Sequence, residues 1–297
     1  MKILVSGLLN TETTTAVRGF PIHYYPIDYP FFGVNTAVSG VAFNLAKALK
    51  TLGDEVRLTS MTGRDFAAAY IRDSLRELDI STEYMQSKLR QTPSSVVLYD
   101  PDGKRQIYCD LKDIQETAYA FDASVLEGID LIAACNINFN RPLLHLAKQA
   151  GKVIATDVHV LSDIHDEYNR EFMEHADILF LSDEAVGNGY RDFLMQLADA
   201  YPCRIIVMGR GAQGAAIYLR DTGEITEMPA VSVGTVVNTV GAGDALFSAF
   251  LHYYAKGLTP ADALQRAQIF AAHKITANGA SNGFVAEQVI EEWFSCR

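Results

Sequence analysis

No apolar run in this chain approaches the roughly 18 to 20 residues that a membrane-spanning helix needs, so a helical span is excluded. No Lys/Arg-rich run exists either. Asp and Glu outnumber Lys and Arg by 36 to 25, a formal charge of -11, which argues against binding nucleic acid or an anionic membrane. Any phosphate-bearing ligand must therefore be held by local groups. Cysteine is scarce: Cys109, Cys135, Cys203 and Cys296 are scattered without metal-type spacing, so free buried thiols in a reducing cytoplasm are expected. Internal repeats and low-complexity linkers are missing as well, and the apolar part of Met1–Gly7 is too short for a signal peptide. That segment reads as a first strand and turn.

What is present suits a single large-cored domain spanning 1–297. The chain is 49% hydrophobic and 21% charged, ordinary values for a globular protein. Short apolar runs at Ile3–Ser6, Val56–Thr59, Leu131–Ala134, Val153–Thr156, Ile178–Leu181 and Ile205–Met208 are bounded by turns, as central parallel strands are. Helical patterns lie between them. Val41, Leu45, Leu49 and Leu52 share one face and Gly53 closes the segment; Leu143, Leu146 and Ala150 with Gly151 repeat the arrangement. The alternation predicts an α/β fold with a doubly wound, mostly parallel central sheet and helices on both faces.

Two stretches interrupt this pattern. Thr92–Asp110 reads as a hairpin, with Val96–Tyr99 and Gln106–Tyr108 flanking Pro101-Asp102-Gly103-Lys104. Residues 11–36 carry Pro21, Pro26 and Pro30 among the aromatics Phe20, Tyr24, Tyr25, Tyr29, Phe31 and Phe32. Together, 11–36 and 92–110 predict a small β-rich lid inserted in the α/β domain. Its aromatics, His23 and Tyr24 included, could stack on a sugar or base, form a lid core, or contact a second copy.

The most informative segment is Asn238-Thr239-Val240-Gly241-Ala242-Gly243-Asp244, which runs directly into an apolar helical stretch. Glycines before a helix let backbone approach an anion, and the helix's first N–H groups and positive dipole end face it. Asp244 would be repelled by a phosphate unless it had its own task. Taking a proton from an attacking hydroxyl is such a task. A plain strand-to-helix turn is the alternative reading of these residues alone.

This segment resembles the carboxy-terminal Asp-Thr-x-Gly-Ala-Gly-Asp signature of the ribokinase (PfkB) family of carbohydrate and nucleoside kinases. Ser39-Gly40-Val41-Ala42-Phe43-Asn44 resembles that family's Gly-Gly-x-x-x-Asn sugar-binding segment. Further matches, in family order across nearly the whole chain, are Gly63-Arg64-Asp65, Gly211-Ala212-Gln213-Gly214 and the late helix leading to Asn278-Gly279-Ala280.

The resemblance implies a ribokinase-like fold and ATP-dependent phosphorylation of a hydroxyl on a small sugar. A nucleoside kinase, or a sugar- and nucleotide-binding sensor with weak catalysis, is the alternative. It implies Asp244 as catalytic base and Gly241, Ala242 and Gly243 as the anion hole. Substrate-binding residues would be Glu12, Gly40 and Asn44; from the residues themselves, Tyr24 of the aromatic cluster and Asn138, with Asn136, Asn140 and Arg141 beside it at a strand's end, are expected to join them. Gly211, Gly214, Thr239, Ala271, Ala272 and Asn278 would meet the nucleotide, and Mg²⁺ would bridge its phosphates. A homodimer through the exposed lid hairpins is also implied.

Three departures matter. Asn238 stands for the signature's first Asp, which in many members helps hold a monovalent cation; the amide keeps an oxygen and loses the charge, leaving K⁺ activation open. Ser182-Asp183-Glu184-Ala185 stands where an Asn-x-x-Glu element organises Mg²⁺, so Asp183 or Glu184 takes that role indirectly or the segment is a solvated acidic turn. Ser39 replaces a glycine.

Overall fold

The apolar runs become strands because they are short and rich in residues that pack on a pleated surface. In the computed structural model, which describes all residues except Gly103 and Arg297, the chain opens with β1 (Lys2–Ser6), β2 (Asn10–Ala16) and β3 (Val34–Ser39). Helix α1 (Val41–Thr51), β4 (Glu55–Thr62), α2 (Phe66–Glu77) and β5 (Met85–Ser87) follow. Strands β6 (Ser94–Tyr99), β7 (Arg105–Asp110) and β8 (Leu131–Ala134) lead to α3 (Arg141–Gln149). Next come β9 (Val153–Val160), α4 (Arg170–His175), β10 (Ile178–Ser182), α5 (Tyr190–Ala200) and β11 (Ile205–Gly209). The antiparallel pair β12 (Ala215–Leu219) and β13 (Glu224–Met228) precedes α6 (Ala242–Ala255), α7 (Pro260–Lys274) and α8 (Glu287–Ser295).

Nine strands form the central sheet in the order β13-β12-β11-β10-β9-β8-β1-β4-β5. The run from β11 to β5 is parallel, while β12 pairs antiparallel with both β11 and β13. Strand order reverses beside β1, so the crevice at the strands' carboxyl ends is where ligands bind in such sheets.

Alternation along each strand divides the core between two faces. Ile3, Val5, Ala133, Phe180 and Val207 pack with α1, α6 and α7, while Leu4, Ile132, Leu179 and Ile206 face α3 and α5. Leu45 and Leu49 of α1 are wholly buried, each contributing on the order of 1.5 to 3 kcal/mol. The helix stops as its sequence suggests: Gly53 adopts φ 94°, its N–H donates to the Lys50 carbonyl, and the Asp54 N–H donates to the Leu49 carbonyl. Helix α6 is buried from Ala245 to Tyr253 without a polar face, because it lies between the sheet, α1 and α7. Its amino end is thus held by a rigid element.

The lid is a separate four-stranded sheet, ordered β3-β2-β6-β7, with β2 and β6 parallel and the outer pairs antiparallel. The hairpin forms as expected, though Gly103 of its turn lies outside the described residues. Gly63-Arg64-Asp65 ties the lid to the domain. Asp65 caps α2 and accepts from both the main-chain N–H and the hydroxyl of Thr92, at 2.8 and 2.6 Å. Burial opposes ionisation of Asp65, yet the donors from Thr92 and Ala68 prevail and hold its pKa below the usual carboxylate value.

Two expectations need correction. Tyr24, Phe31 and Phe32 are 87, 85 and 99% exposed, so these aromatics do not form a lid core. Only Cys135 and Cys203 are buried, whereas Cys109 and Cys296 are exposed, all four as free thiols. Among the described residues, no helix is long and apolar enough to cross a membrane.

Candidate active site

The site is built around the amino end of α6. Gly241 sits at φ 79°, and a Cβ there would lie 2.1 Å from the Ala280 carbonyl oxygen, so only glycine fits. Ahead of it, the Asn238 side-chain oxygen accepts the Val240 N–H at 2.8 Å, which tightens the turn. The Ala242 N–H is consumed by the Thr239 carbonyl at 3.1 Å. This departs from the expected hole of Gly241, Ala242 and Gly243: among the described residues, the amides without an acceptor are those of Gly241, Gly243 and Asp244. A Cβ on Gly243 would meet nothing within 4 Å. Three donors and a helix dipole therefore converge on open space, the arrangement that holds an anion.

Asp244 lies in the first turn of α6 and keeps one edge open to the cavity. Asn44 of α1 donates to its Oδ2 at 2.7 Å. Burial raises the Asp244 pKa; the Asn44 hydrogen bond and His159 oppose this, Asp157 adds to it, and Lys274 opposes it. The net shift is upward. Such a carboxylate is a stronger proton acceptor than a solvated one, which suits a general base.

That base opens onto a cavity of about 760 Å³. Gly211, Gly214, Thr239 and Ala272, expected at the nucleotide, all line it, as do Ala271 and Glu184. Gly214 has φ 97°, and a Cβ there would fall 2.1 Å from the Met228 carbonyl oxygen. Val231, Val233, Val236 and Ile275 supply an apolar wall suited to a nucleobase. The free amides and this wall fit a nucleoside triphosphate. No cluster of three or more His, Cys, Asp or Glu able to hold a metal occurs among the described residues. Glu184 nevertheless reaches the cavity, while Asp183 lies 3.6 Å from Arg210 in an ion pair. Of the two acids, Glu184 is the one that lines the cavity and would be placed to help hold a phosphate-bound magnesium ion. Asn278 stands back from the cavity, its side-chain oxygen accepting from Asn238 at 2.9 Å.

The expected substrate residues are dispersed. Gly40, with φ 99°, passes so close to Leu8 that a Cβ would lie 2.5 Å from that residue's carbonyl oxygen. Glu12 lies on β2, accepts from Ser39 at 3.4 Å, and has its pKa raised by burial against the opposing effects of Ser39 and Arg105. Asn44 and Asn10 are buried, and among the described residues the side-chain oxygen of each lacks a partner, as a group awaiting a polar ligand would. None of Glu12, Gly40, Asn44, Asn138 and Tyr24 lines the cavity, and Asn44 is joined to it only through Asp244. Asn138 is held by Gln115 and Arg141 in loop packing, and Tyr24 stands in solvent on the lid arm. Arg141 pairs with Glu171 at 2.6 Å, and Asn140 is spent on Ser6 and Cys135.

Several site residues escaped the sequence reading. Arg105 of β7 lines the cavity from the lid and makes no hydrogen bond or ion pair among the described residues. Asp157 and His159 line it from the end of β9, with the Asp157 carboxylate accepting the His159 N–H at 2.8 Å. His159 adopts φ 60°, an uncommon conformation for a non-glycine residue. The position of Asp157 and His159 at the carboxyl end of a central strand was a usable signal; nothing local pointed to Arg105.

Known proteins resemble this chain in sequence and in fold. The model of the family described as pfkB family carbohydrate kinase matches residues 2–287. A fructosamine kinase of Bacillus subtilis (strain 168) is 26% identical over 241 residues, covering 80% of this chain and 81% of that one. A nucleoside kinase of Methanocaldococcus jannaschii is 26% identical over 235 residues, covering 73 and 72%. Among solved structures, a microbiome-derived acarbose kinase superposes with a TM-score of 0.88 over 99% of this chain and 98% of its own, at 21% identity. That last likeness concerns the fold.

Proposed function

The chain belongs to the pfkB family of carbohydrate kinases, and from that membership we propose that it transfers the γ-phosphoryl group of ATP to a hydroxyl of a small sugar, with Asp244 as the base. The observation that carries this reading is the pairing of a buried, basic carboxylate with three acceptor-less amides at one helix end. Asp244 takes the proton of the attacking hydroxyl, and Asn44 holds the carboxylate in place. The amides of Gly241, Gly243 and Asp244 receive the charge that develops on the transferred group. Bound Mg²⁺ would neutralise phosphate charge, with Glu184 as the chain's contribution to its water shell.

Arg105 is the lid's contribution. Its guanidinium, without a partner among the described residues, lines the cavity from the lid sheet, so closure of the lid would bring it onto the phosphates or an anionic substrate. A nucleoside acceptor is the second reading, favoured by the exposed aromatics of the lid arm, which would cover a base on closure. Incubation with MgATP and a panel of sugars and nucleosides, with phosphorylated product read by mass, tests both. A sugar product supports the first reading and a nucleoside product the second. If nothing is phosphorylated while several compounds raise the Tm, the kinase reading falls to that of a ligand sensor.

A further inference from the structure

Lys274, the last residue of α7, is wholly buried and, among the described residues, is the only Lys or Arg so enclosed. Its ammonium has three protons to donate and one acceptor, the main-chain oxygen of Asn238 at 3.3 Å, the first residue of the anion-hole segment. No carboxylate forms an ion pair with it among the described residues. A buried cation without a counter-ion is costly unless an anion arrives.

The surroundings are otherwise complete. Both oxygens of Asn238 are engaged, the main-chain one by Lys274 and the side-chain one by the Val240 N–H, while its amide nitrogen donates to Asn278. An aspartate at 238 could not make that last bond. The protein's own groups thus brace the segment and place a positive charge behind it.

We propose that Lys274 is a positioning residue, a resident cation behind the anion hole whose fixed charge makes phosphoryl transfer independent of any external monovalent cation. This inference rests on the kinase reading and deepens it. Lys274 does not line the cavity; it acts by holding the Asn238 carbonyl and through its field on the bound phosphates and on Asp244. The charged groups facing this region are Asp244, Asp157 and His159 from the domain and Arg105 from the lid. Burial pushes the Lys274 pKa down to about 8, against the pull of Asp244 and with the push of Arg105.

The test has a binding arm that needs no acceptor. Affinity of the full-length protein for a magnesium-bound nonhydrolysable ATP analogue is measured in potassium, sodium and tetramethylammonium chloride at equal ionic strength. Equal affinity within about twofold is expected; tenfold tighter binding in potassium overturns the proposal, because a site that recruits its cation depends on which cation is offered. With an acceptor in hand, kcat/KM of the wild type should decline above about pH 8 as Lys274 loses its proton. Lys274→Met should lower kcat about 100-fold and move the acid limb to higher pH, because a charge that favours ionised Asp244 is gone. Lys274→Arg should restore part of the rate and extend the alkaline limb. A Lys274→Met enzyme with unchanged kcat and acid limb overturns the proposal. Should that variant not fold, the cation series on the wild type still decides. Absence of phosphorylated product sinks the kinase reading and leaves the binding arm interpretable.

Discussion

The two walls of the cavity differ in how far they are assembled without ligand. On the α6 wall, Gly241 and Gly214 occupy backbone positions that any side chain would block, and the elements behind them are buried. On the lid wall, β7 is exposed along its length, the Arg105 side chain has no partner among the described residues, and Tyr24, Phe31 and Phe32 stand in solvent. The difference follows from packing: α6 is clamped between a sheet and two helices, whereas the lid sheet touches water on most of its surface. On the proposed reading the phosphoryl-transfer half is preorganised, and acceptor recognition would wait on closure of the lid. An open lid and a finished anion hole would favour ATP hydrolysis, so closure also has to exclude water.

Removing the base is the strongest way to break this contrast. Asp244→Asn should cut kcat by roughly 10³-fold or more while leaving nucleotide affinity within a few fold, since a general base contributes about 10² to 10⁴; steady-state rates beside calorimetric binding check it. In the wild type, kcat/KM should fall on the acid side at a pH above the ordinary carboxylate range, because Asp244 must be ionised to accept a proton and burial raises its pKa.

The glycines sharpen the comparison next. Gly241→Ala puts a methyl on the Ala280 carbonyl at positive φ and should cost about 2 to 3 kcal/mol of stability along with triphosphate binding. Gly243→Ala meets nothing within 4 Å, so urea unfolding should be unchanged within about 0.5 kcal/mol. Its triphosphate affinity should nevertheless fall, because on the proposed reading that open space is filled by the phosphates. Equal effects of the two on stability would contradict the proposed anion hole.

Lid substitutions should act on turnover and leave stability alone. Arg105→Ala should reduce kcat/KM about tenfold or more with no shift in Tm, since the side chain has no partner to lose. The smallest effect is expected from Tyr24→Ala. At 87% exposure it should leave Tm unchanged and alter KM for the acceptor by a few fold at most. A large loss of kcat would show that the lid arm reaches the chemistry.

Much of the fold was legible because it depends on local pattern. The short continuous apolar runs of β1 and β8 to β11, and the Gly53 stop of α1, follow from neighbouring residues and backbone sterics. The anion-hole segment was legible because two glycines directly before an apolar helix are a local pattern, whereas the close approach of Gly241 to Ala280 and of Gly214 to Met228 is a tertiary contact. Its detailed donor set was not: whether Ala242 or Asp244 offers its N–H depends on where the Thr239 carbonyl turns. Asn138 and Arg141 look available in sequence but are consumed by Gln115, Tyr168 and Glu171, neighbours that only the packing of adjacent loops supplies. Tyr24 drew notice by composition, and composition says nothing of where a side chain points.

By itself, the sequence determined the alternation of strands and helices, the helix that must be buried on all sides, and the glycine turn at its head, since each is a property of neighbouring residues. Tertiary structure alone decided that Asn44 would hold Asp244 across 200 residues, that Arg105 would face the cavity unpaired, and that Lys274 would sit behind Asn238. Those arrangements rest on how α1, α6, α7 and the lid come together. Contacts between distant elements leave no period in the chain.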